Sequence, residues 1–409
     1  MTLLRGVLVF LFAILLNTPS KSFAAVNALE CVENCSCNYD GYETPNTVCI
    51  GANFDDVIIH VQKLPFMSNL VIQKTPIYHL KKLPELNLAE LELSDCTITS
   101  IEDYAFETLQ HLKVLNLDKN LLTEIPKLKR SMRNYRVISA KHNMISKVSP
   151  DLFIDSQIIN VDFSHNFLTD IEFLKRSKSS LESLNLSFNL LEQAYFSNFS
   201  HLSYVNLTHN RLKEPNSVRL MGLCDIVTLD VSHNGISTLD ALNLTDSYVK
   251  HLYLHQNRLH SNVQLNFSEY KQLQELNLDD NEISMIPVLP TKLQILSLSN
   301  NKLDGSKIIF PEHGLRKVSL SGNALKTFSE NAFINLEKVY IINLLNNNIT
   351  SIDLHIYSEN LVKVLFDEKT KLSINGINYE RNDGRFPKPQ HYDSGLNFFV
   401  FKIDEMSYL

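Results

Sequence analysis

The sequence predicts an α/β solenoid, a stack of short coils with one short strand each. Three observations predict it. Leu (63) and Asn (41) make up a quarter of the 409 residues, while Gly 11 and Pro 13 are scarce. One apolar pattern, L-x-x-L-x-L-x-x-N-x-L, recurs along most of the chain at a spacing of 20 to 24 residues. Four cysteines cluster just ahead of the first copy. Hydrophobics at 44% with 20% charged residues mark a chain able to offset its ordering entropy by burial. The shortage of Gly argues against phosphate-cradling loops, and a net charge of -7 provides no basic footprint for nucleic acid.

Residues 1–25 read as a secretory signal. Arg5 supplies the positive start, Val7 to Leu16 the apolar run, and Ser22-Phe23-Ala24-Ala25 the small residues for cleavage. Ten apolar residues are too few to span a bilayer, and no later run approaches 18. The expectation is a secreted, extracellular protein without a membrane anchor. Residues 26–60 form a cysteine-rich cap, with Cys31, Cys35, Cys37 and Cys49 spaced C-x3-C-x-C-x11-C. An oxidising compartment favours disulfides there over a zinc knuckle.

Residues 61–372 carry about 14 copies of the pattern. The clearest are Leu112-Leu115-Leu117-Asn120-Leu122, Leu181-Leu184-Leu186-Asn189-Leu191, Leu252-Leu254-Asn257-Leu259, Leu273-Leu276-Leu278-Asn281-Ile283 and Leu293-Leu296-Leu298-Asn301-Leu303. Alternation at L-x-L is the period of a strand, so the leucines point inward and the intervening residues outward. A sharp turn after so short a strand strands backbone groups inside the coil. An inward Asn carboxamide, donor and acceptor at once, can satisfy them as a ladder between turns. No coil can bury its own leucines, and stacking makes one continuous core. Cys96 takes the Asn position of the copy at Leu88 and is expected to be buried. The copies at Met67 and Leu361 are degenerate, and the short copies at Leu181 and Leu273 should have nearly extended convex segments.

These motifs resemble the leucine-rich repeat family, and Ala105-Phe106-Leu109 and Ala332-Phe333-Leu336 resemble its extracellular typical class. The resemblance implies a horseshoe with a concave parallel sheet. It also implies that the cysteine cluster pairs as in the family's N-terminal cap, Cys31 with Cys37 and Cys35 with Cys49. The set of features is similar to secreted leucine-rich immune proteins of insects, which pair with a partner chain through C-terminal cysteines and a coiled coil. This sequence departs from that pattern, since nothing beyond Cys224 is cysteine and no sustained heptad run occurs. Residues 373–409 are expected to be a cysteine-free cap or tail, in which Phe398-Phe399-Val400-Phe401 either covers the last repeat or meets a partner. Cys224 is expected to be a small core residue, with a disulfide to a partner chain as the alternative.

No phosphate loop, nucleophile elbow or metalloprotease motif appears, so no enzyme and no cofactor are expected. His142, His165, His209 and His233 all stand immediately before a ladder Asn, and His251, Tyr253 and His255 face outward from one strand. They read as solvated surface residues. A metal site from His209, His233, His251 and His255 and pH-dependent partner binding are the alternatives. Six N-x-S/T glycan acceptors follow the cap, Asn185, Asn198, Asn206, Asn243, Asn266 and Asn348, with Asn185 and Asn206 in one concave column. The expected function is binding of an extracellular protein ligand. The candidate contacts are Tyr204, Asp230, His233, Tyr253 and His255, with Asp279, Asp280, Arg316 and Lys317 further along. Innate immune recognition is the first reading, and an extracellular adhesion, matrix or signalling module the second.

Overall fold

The computed structural model describes residues 30–38, 46–64, 67–128, 134–153, 156–175, 180–221, 225–244, 247–261, 265–312, 314–358 and 360–379. The signal segment, Cys224 and residues 380–409 lie outside the described residues, and with them the expectations for a signal, a partner disulfide and a closing tail.

The chain begins its described part with a hairpin, Cys35–Asn38 antiparallel to Asn46–Ile50. The disulfides Cys31–Cys37 and Cys35–Cys49 staple it, in the pairing the resemblance implied. A helix over Phe54–Val61 follows, started by Asn53, whose side chain accepts from the Asp56 amide, with Asp55 and Asp56 in its first turn. Its apolar residues Val57, Ile58 and Val61 are buried, so the helix closes the end of the core.

Strand Asn46–Ile50 then runs parallel to Met67–Gln73, and the same sheet continues strand by strand to Lys363–Leu365. It holds 16 strands among the described residues, two of them in the cap and the rest one per repeat. The first two repeat strands, Met67–Gln73 and Leu88–Ser94, are seven residues long, and most later ones are three, centred on one inward residue of the pattern. In Leu252 the inward side chain is fully buried, while His251 and Tyr253 on either side are half-exposed. A leucine taken fully out of water contributes about 2 kcal/mol, and every turn repeats that contribution.

The Asn ladder forms as the pattern requires. Asn143 donates to Leu117 O at 2.9 Å and Ala140 O at 3.0 Å, and its Oδ1 accepts from the Leu122 amide at 3.0 Å. The same set recurs from Asn120 to Asn347. Cys96 is buried in the same position, its Sγ 3.3 Å from Ile72 O and Ser94 O. At the degenerate last copy Asp367 takes over, accepting from the Asn346 and Asn347 amides at 2.8 and 2.9 Å.

The convex side mixes turns and short 3-10 helices, Glu172–Leu174, Leu239–Ala241 and Gly305–Lys307, with extended stretches. Ala194–Ser197, Val218–Met221 and Leu242–Asn243 form a three-stranded parallel sheet, so the copy at Leu181 has the extended segment its length predicts. Phenylalanines fill the space between the two faces, among them Phe153, Phe173, Phe196, Phe310 and Phe333, all buried. A second convex sheet, Ser351–Leu354, Lys371–Ile374 and Ile377–Tyr379, ends the described chain in a hairpin turned by Asn375-Gly376, both at positive φ. It straddles the boundary drawn at residue 372. Asn375 exchanges hydrogen bonds with the backbone of Ile356, which ties the hairpin to the preceding turn.

Candidate binding surface

Strand register decides which outward residues meet. Tyr204 lies opposite Thr228, Thr228 opposite His251 and His251 opposite Glu275. In the next column Asn206, Asp230, Tyr253 and Asn277 are neighbours. At about 4.8 Å per strand, Tyr204, Asp230, His251, Tyr253 and Glu275 form one patch in the middle of the concave sheet. His251 Nδ1 lies 3.0 Å from Glu275 Oε2. Burial, reinforced by Glu275 and Asp230, pushes the Tyr253 phenol up to about 12, and burial beside Asp230 pushes Tyr204 up as well. Both phenols are therefore neutral donors on an aromatic body, which is the chemistry of interface anchors.

The other candidates lie elsewhere. Asp279 is tied into a turn, its Oδ1 accepting from Ser297 Oγ and the Ser299 amide, both at 2.6 Å, and burial holds its carboxyl above the usual range. Asp280 is exposed and accepts from Asn300 Nδ2 at 3.0 Å. Arg316 is exposed and Lys317 half-buried, on and beside strand Lys317–Ser319, two strands beyond Glu275–Asn277.

His233 and His255 belong to a different feature along the edge where the strands end. His142, His165, Phe188, His209 and His233, one per turn, stack face to face with ring centroids 4.0, 4.1, 4.0 and 3.8 Å apart. His255 closes the row edge-on to His233 at 5.5 Å, and its Nδ1 is buried without a hydrogen-bond partner. Read as separate solvated residues from the sequence, these side chains are one continuous ring column. The rings lie over one another instead of converging, and among the described residues no group of three or more His, Cys, Asp or Glu is arranged to hold a metal. Leu121, Met144 and Phe167, each directly after a ladder Asn, add exposed apolar surface beside the column.

In several strands the second outward residue also has a structural task. Asn185 Oδ1 accepts from the Ser187 amide at 3.1 Å and Ser187 Oγ at 2.8 Å, and Asn206 Oδ1 accepts from the Thr208 amide at 2.9 Å. Asp162 and Asp230 make the same bonds to Ser164 and Ser232. The N-x-S/T match at Asn185 and Asn206 thus coincides with an Asx-turn that ends the strand. Of the remaining acceptors, Asn198, Asn266 and Asn348 are exposed, and Asn243 is half-buried in the convex sheet.

The family model described as Leucine rich repeat matches residues 86–145, and a second of the same description matches 292–312. These matched stretches are leucine-rich repeats, and the chain as a whole resembles leucine-rich repeat proteins. Its sequence is 25% identical to mouse podocan over 78% of this chain and 50% of podocan, and 29% identical to human lumican over 62% of this chain and 70% of lumican. It is 25% identical to sheep Toll-like receptor 2 over 69% of this chain and 33% of the receptor. The chain thus spans half of podocan and a third of the receptor. In the mouse RP105/MD-1 complex the matched chain shares this fold, with a TM-score of 0.50 and 17% identity over 83% of this chain and 68% of that one. Among the described residues no helix is long and apolar enough to cross a membrane.

Proposed function

We propose that this chain is a secreted leucine-rich repeat protein and holds a protein ligand on its concave sheet at Tyr204, Asp230, His251, Tyr253 and Glu275, in innate immune recognition. The observation that carries the reading is the central patch, in which the exposed Tyr204 and the half-buried Tyr253, both neutral phenols, share one surface with a His–Glu pair from neighbouring strands. Secretion is supported by the signal-like residues 1–25 and by two disulfides in the cap. The immune role is supported by similarity to a Toll-like receptor. Similarity to lumican and podocan favours a second reading, an extracellular matrix or adhesion module.

The test is affinity capture from extracellular fluid of naive and infected animals, comparing the purified protein with its Tyr204→Ala/Tyr253→Ala variant by mass spectrometry. A partner enriched in infected samples and lost with the variant supports the immune reading. A matrix component captured equally from both samples supports the second. Partners retained in full by the variant contradict the concave site.

A further inference from the structure

We propose that the ring column of His142, His165, Phe188, His209 and His233 is a proton-responsive edge of the solenoid, stacked near neutral pH and forced apart on mild acidification. The geometry carries this. All five residues occupy the same left-handed turn position, with φ between 54° and 56°. Each donates its amide to a carbonyl of the next turn: His142 to Ser164, His165 to Ser187, Phe188 to Thr208, His209 to Ser232 and His233 to His255. The backbone therefore fixes the spacing of the rings. Two adjacent imidazolium ions would sit about 4 Å apart, a separation at which like charges repel strongly outside bulk water. They can part only by rotating their side chains out of the stack.

Phe188 divides the column into two imidazole pairs, His142 with His165 and His209 with His233. Each of its faces meets an imidazole, His165 on one side and His209 on the other, so it can receive a cation from either pair. Once one ring of the His209–His233 pair carries a proton, a second at this separation is opposed, so that pair titrates in two macroscopic steps. The groups that face the column are mixed. Asp162 and Lys141 lie near His165, Asp230 near His209 and His233, and His255 and Asp280 near His233. Burial comes first in holding His165, His209 and His233 below the usual imidazole range, and the neighbouring histidines push the same way against the aspartates.

The sign follows from linkage. A base held lower in the folded state than in the unfolded one leaves stability intact above its ordinary value near pH 6.5. Stability falls as the pH drops through that value, and the loss levels off below the folded value. At neutral pH the edge offers an aromatic stripe beside the exposed Met144 and Phe167; in acid it becomes cationic and unstacked. This holds whatever ligand the concave patch binds.

NMR titration of the full chain with selectively labelled histidine tests it. His165, His209 and His233 should titrate below the ordinary midpoint, and His209→Phe should raise the midpoints of both His165 and His233. Phe188 shows that a phenyl ring fits this slot. Ordinary or raised midpoints in the wild type, or midpoints unmoved by His209→Phe, would overturn the proposal. Thermal melting gives a second readout. Between pH 7.5 and 5.0 the wild type should lose about 3 °C more than a variant with all four column histidines replaced by Phe; equal losses overturn it too.

Discussion

Asn257 shows what one side chain does in this architecture. Its Nδ2 donates to Val231 O at 3.1 Å and Leu254 O at 3.0 Å, and its Oδ1 accepts from the Asn234 and Ile236 amides at 3.1 and 2.9 Å. Asn257→Ala leaves four buried backbone groups without those partners and should cost about 3 kcal/mol, read as a lower denaturant midpoint. Lys302→Ala, which breaks an exposed pair with Glu282, should leave the denaturant midpoint unchanged. The Asx-turn role of Asn185 gives a sharper contrast. In protein made without glycans, Asn185→Ala should cost about 1 kcal/mol because Ser187 loses its acceptor. Asn348→Ala, at an exposed acceptor, should be near neutral. Equal effects would remove the turn explanation. At this scale the ladder was legible in advance, because an Asn at one fixed distance from L-x-L has a single job. Glu275 and Phe188 were not, since each becomes meaningful only against the residue that strand register places beside it.

Among elements, the N-terminal cap is the one whose stability is separable. Its hairpin joins the solenoid through one parallel pairing, Asn46–Ile50 with Met67–Gln73, and the helix Phe54–Val61. Replacing Cys35 and Cys49 by Ser opens a link that spans 14 residues and should cost about 3 kcal/mol. Because each turn contacts only its neighbours, amide exchange should accelerate over the cap and the first repeats and stay unchanged at strand His251–Tyr253. Uniform acceleration would contradict the one-dimensional picture. A tight backbone approach gives a second element-level prediction. A Cβ on Gly305 would sit 1.9 Å from Thr327 O, so Gly305→Ala should disturb the turn that carries Ser329 and lower the melting temperature. The repeat strands followed from the spacing of leucines, and the extended convex segment of the copy at Leu181 from its short length. The Asn375-Gly376 hairpin and the Asp367 cap escaped notice, because the pattern decays there and local turn chemistry replaces it.

For the whole molecule, stacking identical turns converts sequence period into surface columns. The inward columns are uniform, which is why Leu and Asn dominate the composition. The outward columns vary, and there the ring edge and the concave patch lie on separate lines of the same sheet. Ring stacking was not legible in the sequence. His142, His165, His209 and His233 share a slot on paper, yet their contact depends on the pitch of the coil and on Phe188 bridging the gap. The central claim is that ligand binds at the middle of the concave face, and site-specific photo-crosslinking tests it most directly. A photoreactive residue at Thr228, between Tyr204 and His251 in the register, is compared with one at the exposed convex residue Met221. The account predicts a covalent adduct from position 228 in extracellular fluid, competed by unlabelled protein and absent from position 221; an adduct from 221 with none from 228 would contradict it.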